Sequence, residues 1–302
     1  MKNFFICDFV DFSRKFFKAF FAFFVLFFLN FSAFAEDVVY YRWTPYKDST
    51  GTAIWNDGLN WGKTADYPGS NPNKLAYTYF TGEHAVTAKL DSSPANELEE
   101  LHIGDCYNSQ ADSPPSVGTN TITINMAGYD LKSKTLVLGS STASVPSVNF
   151  ALIGGGTLEV SEMSFAAAPG ASHTYEYNIE VASGTVLDVS SIELNDSRLT
   201  VNFTGDGTLK VGDAIFSAGK ININVKNLEI SGTFKNEAGA TLSVSGLSSD
   251  SRKFVGDFEN AGTAEFSGGS KNTFGGAVTN SGSAKFKDSA EGIFNGTLKN
   301  SW

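Results

Sequence analysis

Residues able to do chemistry are few and scattered along the 302-residue chain. Glu97, Glu99, Glu100 and Asp105 bring four carboxylates into one short stretch. Two carboxylates at a set separation are what glycosidic hydrolysis requires. The same residues read equally as a solvated acidic face. No paired Asp, and no Asp with Lys and Arg, recurs further on to extend a catalytic groove. His84, His102 and His173 stand apart, without H-x-H or H-E-x-x-H zinc spacing. Cys106 follows shortly after His102, but no third group orients a thiolate–imidazole pair, so it reads as an incidental thiol. Gly154-Gly155-Gly156 leads into a strand pattern rather than a helix, which excludes a phosphate cradle. Gly205-Asp206-Gly207 and Gly212-Asp213 carry the Gly-Asp pairing of calcium-binding turns in one degenerate copy, where tandem copies are needed. The expectation is a non-enzymatic chain with no catalytic residues, no cofactor and no metal.

The remaining chemistry is aromatic. Residues 36–94 hold Trp43, Trp55 and Trp61 and most of the tyrosines: Tyr40, Tyr41, Tyr46, Tyr67, Tyr77 and Tyr79. Such a segment serves either as a cap over the first open coil of a repeat protein or as an exposed platform on which sugar rings stack. Trp43, Trp55 and Trp61 are the candidate ligand platform, and exposure of Trp55 and Trp61 separates the two readings. After residue 35 the only arginines are Arg42, Arg198 and Arg252, a poor complement for an acidic polysaccharide.

The elements that would position any such site are repeats. Phe254-Val-Gly256-Asp-Phe258-Glu-Asn260, Phe274-Gly-Gly276-Ala-Val278-Thr-Asn280 and Phe294-Asn-Gly296-Thr-Leu298-Lys-Asn300 share the pattern F-x-G-x-Φ-x-N. They recur at a fixed interval of about 20 residues, a solenoid-type period. Within each unit Thr263-Ala264-Glu265-Phe266 and Ser283-Ala284-Lys285-Phe286 alternate apolar and polar, the period of a strand. A unit of about 20 residues is too small to bury its own apolar face, so the units must stack. The spacing is too short for a propeller blade. It suits one coil of a parallel β-helix, with equivalent residues about 4.8 Å apart. Phe254, Phe274 and Phe294 then form an inward stack. Asn260, Asn280 and Asn300 form a corner ladder, or serve only as turn residues. Gly156-Thr-Leu-Glu-Val160, Gly207-Thr-Leu-Lys-Val211 and near copies at Gly184 and Gly239 extend the pattern backwards with longer spacings. The expected fold is all-β: a parallel β-helix solenoid of about 20–28 residues per coil. Irregular coils are expected over 95–231 and regular repeats over 232–302. An aromatic-rich cap over 36–94 precedes them.

Export is expected from the signal-peptide pattern of residues 1–35. Arg14, Lys15 and Lys18 precede the uninterrupted apolar run Ala19–Leu29, and Ala33-Phe34-Ala35 is an A-x-A cleavage site. The run is too short for a membrane span of about 20 residues; the alternative is an uncleaved anchor. The net charge of −10, from 22 basic and 32 acidic residues, excludes a basic nucleic-acid-binding face. One cysteine after the signal excludes a disulfide scaffold.

The opening with Trp43 and with Trp55-Asn-Asp-Gly-Leu-Asn-Trp61-Gly, the G-T-L-x-V strands and the N-S-G coils together resemble bacterial autotransporter-like and filamentous-haemagglutinin-like surface passengers. The resemblance implies a right-handed β-helix at the surface of, or outside, a diderm bacterium, with the periplasm as the alternative, serving adhesion or surface structure. The partners it implies are a host or matrix protein or a glycan. A carbohydrate-binding or polysaccharide-active role of the aromatic segment is the second functional reading. No translocator barrel pattern is present, and Asn300-Ser301-Trp302 falls inside a further unit. The expectation is a truncated passenger, or a last coil that self-associates through its open strand edges.

Overall fold

In the computed structural model the described residues are 37–42, 52–61, 63, 66–72, 74–80, 86–104, 120–140, 147–167 and 174–301. The expected signal segment 1–35, Trp43, His84, Asp105, Cys106, His173 and Trp302 lie outside them. The chain divides at Val38, and the unit from Val39 onward is the solenoid. Among the described residues it is built from β-strands, with one 3-10 turn at Gly58–Trp61.

Every strand pairing whose register is described is parallel, and the pairings form a continuous stack of coils. One ladder runs through Thr52–Ile54, Val86–Lys89, Asn120–Asn125, Ser147–Ile153 and Tyr175–Val181 into 199–204. Another joins Lys74–Phe80, Leu98–Ile103, Leu131–Gly139, Gly156–Ala166 and Thr185–Leu194. From Thr185 on, the second ladder divides into two flanks of a three-sided coil. One continues through Ser251–Phe254, Lys271–Phe274 and Glu291–Phe294. The other continues through Phe258–Asn260, Val278–Asn280 and Leu298–Asn300.

Alternation within each strand decides what faces inward. Tyr175–Val181 buries Tyr175, Tyr177, Ile179 and Val181 and turns Glu176 and Glu180 outward. Because the pairing is in register, each buried residue lies beneath its counterpart. One inward row reads Leu101, Leu136, Met163, Ile192, Ala214, Phe234, Phe258, Val278, Leu298. The expected aromatic stack is present: Phe254 and Phe274 lie 4.9 Å apart at 13°, and Phe274 and Phe294 lie 5.0 Å apart at 7°. A second stack joins Phe266 and Phe286 at 4.9 Å.

The asparagine ladder is also present. Asn236 Nδ2 donates to Asn260 Oδ1 at 2.7 Å, Asn260 to Asn280 at 2.5 Å, and Asn280 to Asn300 at 2.7 Å. The Asn260 amide also donates to the carbonyl of Ser283. The ladder replaces an apolar row, since the residue one coil before Asn236 is Phe216. That explains why Asn236 Oδ1, at the foot of a one-way chain of donors, has no partner among the described residues.

From Gly212 onward, glycine marks one corner of the coil. A Cβ on Gly256 would lie 2.0 Å from the carbonyl oxygen of Gly232, one on Gly276 2.4 Å from that of Gly256, and one on Gly296 2.0 Å from that of Gly276. The next residue fastens the same corner. Asp213 Oδ1 accepts the Thr233 N–H at 2.7 Å, and Asp257 Oδ1 accepts the Ala277 N–H at 2.8 Å. The Gly212-Asp213 pair is thus a coil-to-coil fastening.

The coils at the front are longer than the expected range: Ala53 pairs with Ala88, and Ala88 with Ile124. There the strands stay short while the segments that connect them lengthen. Strands on both sides of residue 94 pair in one stack.

Phe274→Asp sets a carboxylate into the aromatic stack and is expected to cost about 3–5 kcal/mol. Gly276→Ala is expected to cost about 1–3 kcal/mol through overpacking against Gly256. Urea unfolding followed by far-ultraviolet circular dichroism measures both, and wild-type midpoints in both variants would contradict the stacked-coil geometry.

Candidate functional site

The tryptophans do not form a platform. Trp55 is 0% and Trp61 2% exposed. Their rings meet edge to face at 4.8 Å, and Tyr41 closes on Trp61 at 6.4 Å and 88°. Each indole N–H is used inside: Trp55 Nε1 donates to the Pro68 carbonyl at 3.3 Å and Trp61 Nε1 to the Trp55 carbonyl at 2.7 Å. The physical cause is the 3-10 turn Gly58–Trp61, which carries Trp61 back under the strand that ends at Ile54. Asn60 Nδ2 holds the fold-back by donating to the Ile54 carbonyl at 2.9 Å. The expectation that Trp55 and Trp61 present a ligand surface is therefore overturned, and Trp43 lies outside the described residues.

Exposed aromatic surface lies instead on tyrosines one face away. Tyr40 is 62% exposed, and its ring meets that of Tyr77 at 5.3 Å and 36°. Tyr77 is in register with Glu100 on the next strand, and Tyr79 with His102. The inward–outward alternation of Leu98–Ile103 is interrupted at Glu99-Glu100. Leu98, Leu101 and Ile103 point inward, and Glu99, Glu100 and His102 lie on the outer side. Glu100 Oε1 approaches His102 Nδ1 at 3.1 Å, and Glu99 Oε2 pairs with Lys134 Nζ at 2.6 Å. The Tyr77 hydroxyl pKa is raised by burial, then by Glu99 and Glu100. It stays a protonated donor at neutral pH. Of the four carboxylates in the sequence cluster, Glu99 and Glu100 come to this patch, Glu97 is exposed, and Asp105 lies outside the described residues.

Asp206, from the Gly205-Asp206-Gly207 turn, lines a shallow groove with Asn224, Lys226, Leu247 and Asp250. Among the described residues no group of three or more His, Cys, Asp or Glu could hold a metal ion. Arg252 sits inside the solenoid with its side chain 0% exposed. Its Nη2 donates to the carbonyls of Val225 at 2.9 Å and Ser245 at 2.5 Å and to Asp250 at 3.2 Å. Burial lowers its pKa, against the Asp250 carboxylate. Nothing in the strand alternation of Ser251–Phe254 distinguishes this inward position from an apolar one.

At another corner the Arg198 guanidinium pairs with Asp196, Nε to Oδ1 at 3.0 Å and Nη2 to Oδ2 at 2.5 Å, and lies 5.5 Å from the Tyr175 ring centre. Hydrogen bonding from Arg198 holds the Asp196 carboxyl below its ordinary range. A depressed carboxyl stabilises the fold above its unfolded-state pKa and loses that contribution as pH falls through the folded-state value. Asp196→Asn should therefore be less stable than wild type at neutral pH and show a shallower loss of melting temperature on acidification. A parallel acid limb in both proteins would contradict the pairing.

No protein-family model, no curated protein and no solved structure matches the chain. Among the described residues no helix is long and apolar enough to cross a membrane.

Proposed function

We propose that this is an exported, non-enzymatic β-solenoid that serves surface structure or adhesion. The observation that carries the reading is the stack itself. Coil upon coil in register turns a short repeat into a long, continuous polar face, the usual interaction surface of solenoids. Outward rows join neighbouring coils by ion pairs, Lys132–Glu159 at 2.6 Å, Lys235–Glu259 at 3.5 Å and Lys287–Glu265 at 2.7 Å. A second amide ladder runs along the outside from Asn222 through Asn202 and Asn178 to Asn149, with Nδ2 to Oδ1 distances of 2.7, 2.7 and 2.9 Å. Such a surface keeps its side chains ordered and its charge mixed, which suits a protein outside the cell. The signal pattern of residues 1–35 and the resemblance to surface passengers support the same reading.

Protease shaving of intact cells, followed by immunoblotting against residues 174–301, tests it. Loss of the epitope from intact cells is the expected result. A band that stays protected until the outer membrane is opened would contradict surface exposure.

A further inference from the structure

We propose that Tyr40 and Tyr77, with Glu99 and Glu100, form a binding subsite for one or two rings of an uncharged glycan. The proposal deepens the adhesive reading above, but it rests on these residues whether or not the chain is exported.

An exposed aromatic pair offers a surface that sugars match. A phenol ring has an electron-rich face, and the axial C–H bonds of a pyranose present a weakly positive apolar face of matching size. Tyr40 keeps 62% of its surface open while its ring is braced by Tyr77 at 5.3 Å. The 36° between the rings opens a shallow wedge rather than a flat shelf. Rigid bracing matters, because a ring already held in place loses little freedom when a ligand arrives.

Orientation comes from polar groups beside the wedge. Glu100 is the register neighbour of Tyr77, at the inter-strand spacing of about 4.8 Å. A carboxylate accepts hydroxyl hydrogen bonds on both oxygens, and such charged acceptors form stronger bonds than neutral ones. His102 Nδ1 lies 3.1 Å from one oxygen of Glu100. The Tyr77 hydroxyl remains a donor, so the patch offers both halves of a hydrogen-bond pair to a sugar hydroxyl.

Charge selects the ligand class. Glu99 and Glu100 stand beside the rings, and the Lys134 ammonium is engaged by Glu99 at 2.6 Å. The chain carries −10 overall. A uronate or sulfated sugar would meet an excess of carboxylate there, whereas a neutral hexose or N-acetylhexosamine would not be repelled.

The test uses the purified full chain in affinity gel electrophoresis. Galactomannan, hydroxyethyl cellulose and a soluble chitin derivative are the neutral probes, and polygalacturonate the acidic one. At least one neutral probe is expected to retard the wild-type protein. Tyr40→Ala is expected to weaken that retardation about tenfold and Glu100→Gln several-fold, with melting temperatures unchanged because Tyr40 carries little buried surface. Tyr40→Phe should retain most of the binding. The proposal is overturned if no neutral probe retards the protein, if Tyr40→Ala is retarded like wild type, or if polygalacturonate binds as tightly as the neutral probes. Binding with a protected band in the shaving experiment would retain this site and remove the surface reading; shaving without binding would do the reverse.

Discussion

From Gly212 onward, the distance between neighbouring coils at one glycine corner constrains how the coils stack. At Gly212, Gly256, Gly276 and Gly296 a Cβ would fall 2.0–2.4 Å from a carbonyl oxygen of the coil before, closer than real Cβ contacts come. The chain meets the condition by omitting the side chain. It then places an acceptor next to the gap at Asp213 and Asp257, so the corner is closed by a hydrogen bond as well as by contact. Once this corner sits at the strand spacing, the three flanks of the coil can pair with those of the next without shear. The Phe254–Phe274 and Phe274–Phe294 stacks at 4.9 and 5.0 Å are the interior expression of the same spacing. The ladder from Asn236 to Asn300 is its expression at another corner.

Stability in such an object is shared between neighbours. A single coil exposes one row of residues to the coil above and one to the coil below, so its apolar surface is buried only by repetition. Phe254, Phe266 and Phe274, with coils on both sides, are 1% exposed, while Phe294, on the last described coil, is 38% exposed. The ion pairs along the outside contribute little each, because exposed pairs rarely exceed about 1 kcal/mol. Their function is to hold long side chains along the coil-to-coil direction. Arg252 is costlier. A buried cation needs its partners, and three acceptors converge on one nitrogen, while Nε and Nη1 have none among the described residues. Its register partner one coil on is Asn272, whose Oδ1 is likewise unpartnered among the described residues. This polar pair interrupts an apolar interior and can fix which coil follows which, at some expense in stability.

Much of this was legible in the residues. The even recurrence of Phe, Gly and Asn set the coil length, and the alternation around Ala264 and Phe266 set the inward face. Both signals are local and repeat unchanged, so they survive without knowledge of the fold. The front of the chain resisted for a physical reason. Between Ala53 and Ala88 the coil carries long connections, and the decisive event is the fold-back at Gly58–Trp61, which hides Trp55 and Trp61. Tryptophan content alone is blind to that turn. The Tyr40–Tyr77 wedge was missed because its two members come from consecutive coils of unequal length, with no repeated motif to align them. The only available hint was the aromatic–polar alternation of Tyr77-Thr78-Tyr79. Arg252 stood out as a scarce arginine, yet its burial follows only from the register of Ser251–Phe254 against 227–230.

Paired cysteines on adjacent coils test most directly whether successive repeat units are parallel coils in register. Glu265 and Lys285 are register partners on the outer side, and the strand spacing of about 4.8 Å lies within the range a disulfide spans. In a chain with Cys7 and Cys106 replaced by serine, Glu265→Cys combined with Lys285→Cys should oxidise rapidly to an intramolecular disulfide. Glu265→Cys combined with Ala284→Cys should not, since Ala284 is in register with the buried Ala264 on the inward side. No disulfide in the first pair, or equal oxidation in both, would contradict the stacked-coil account.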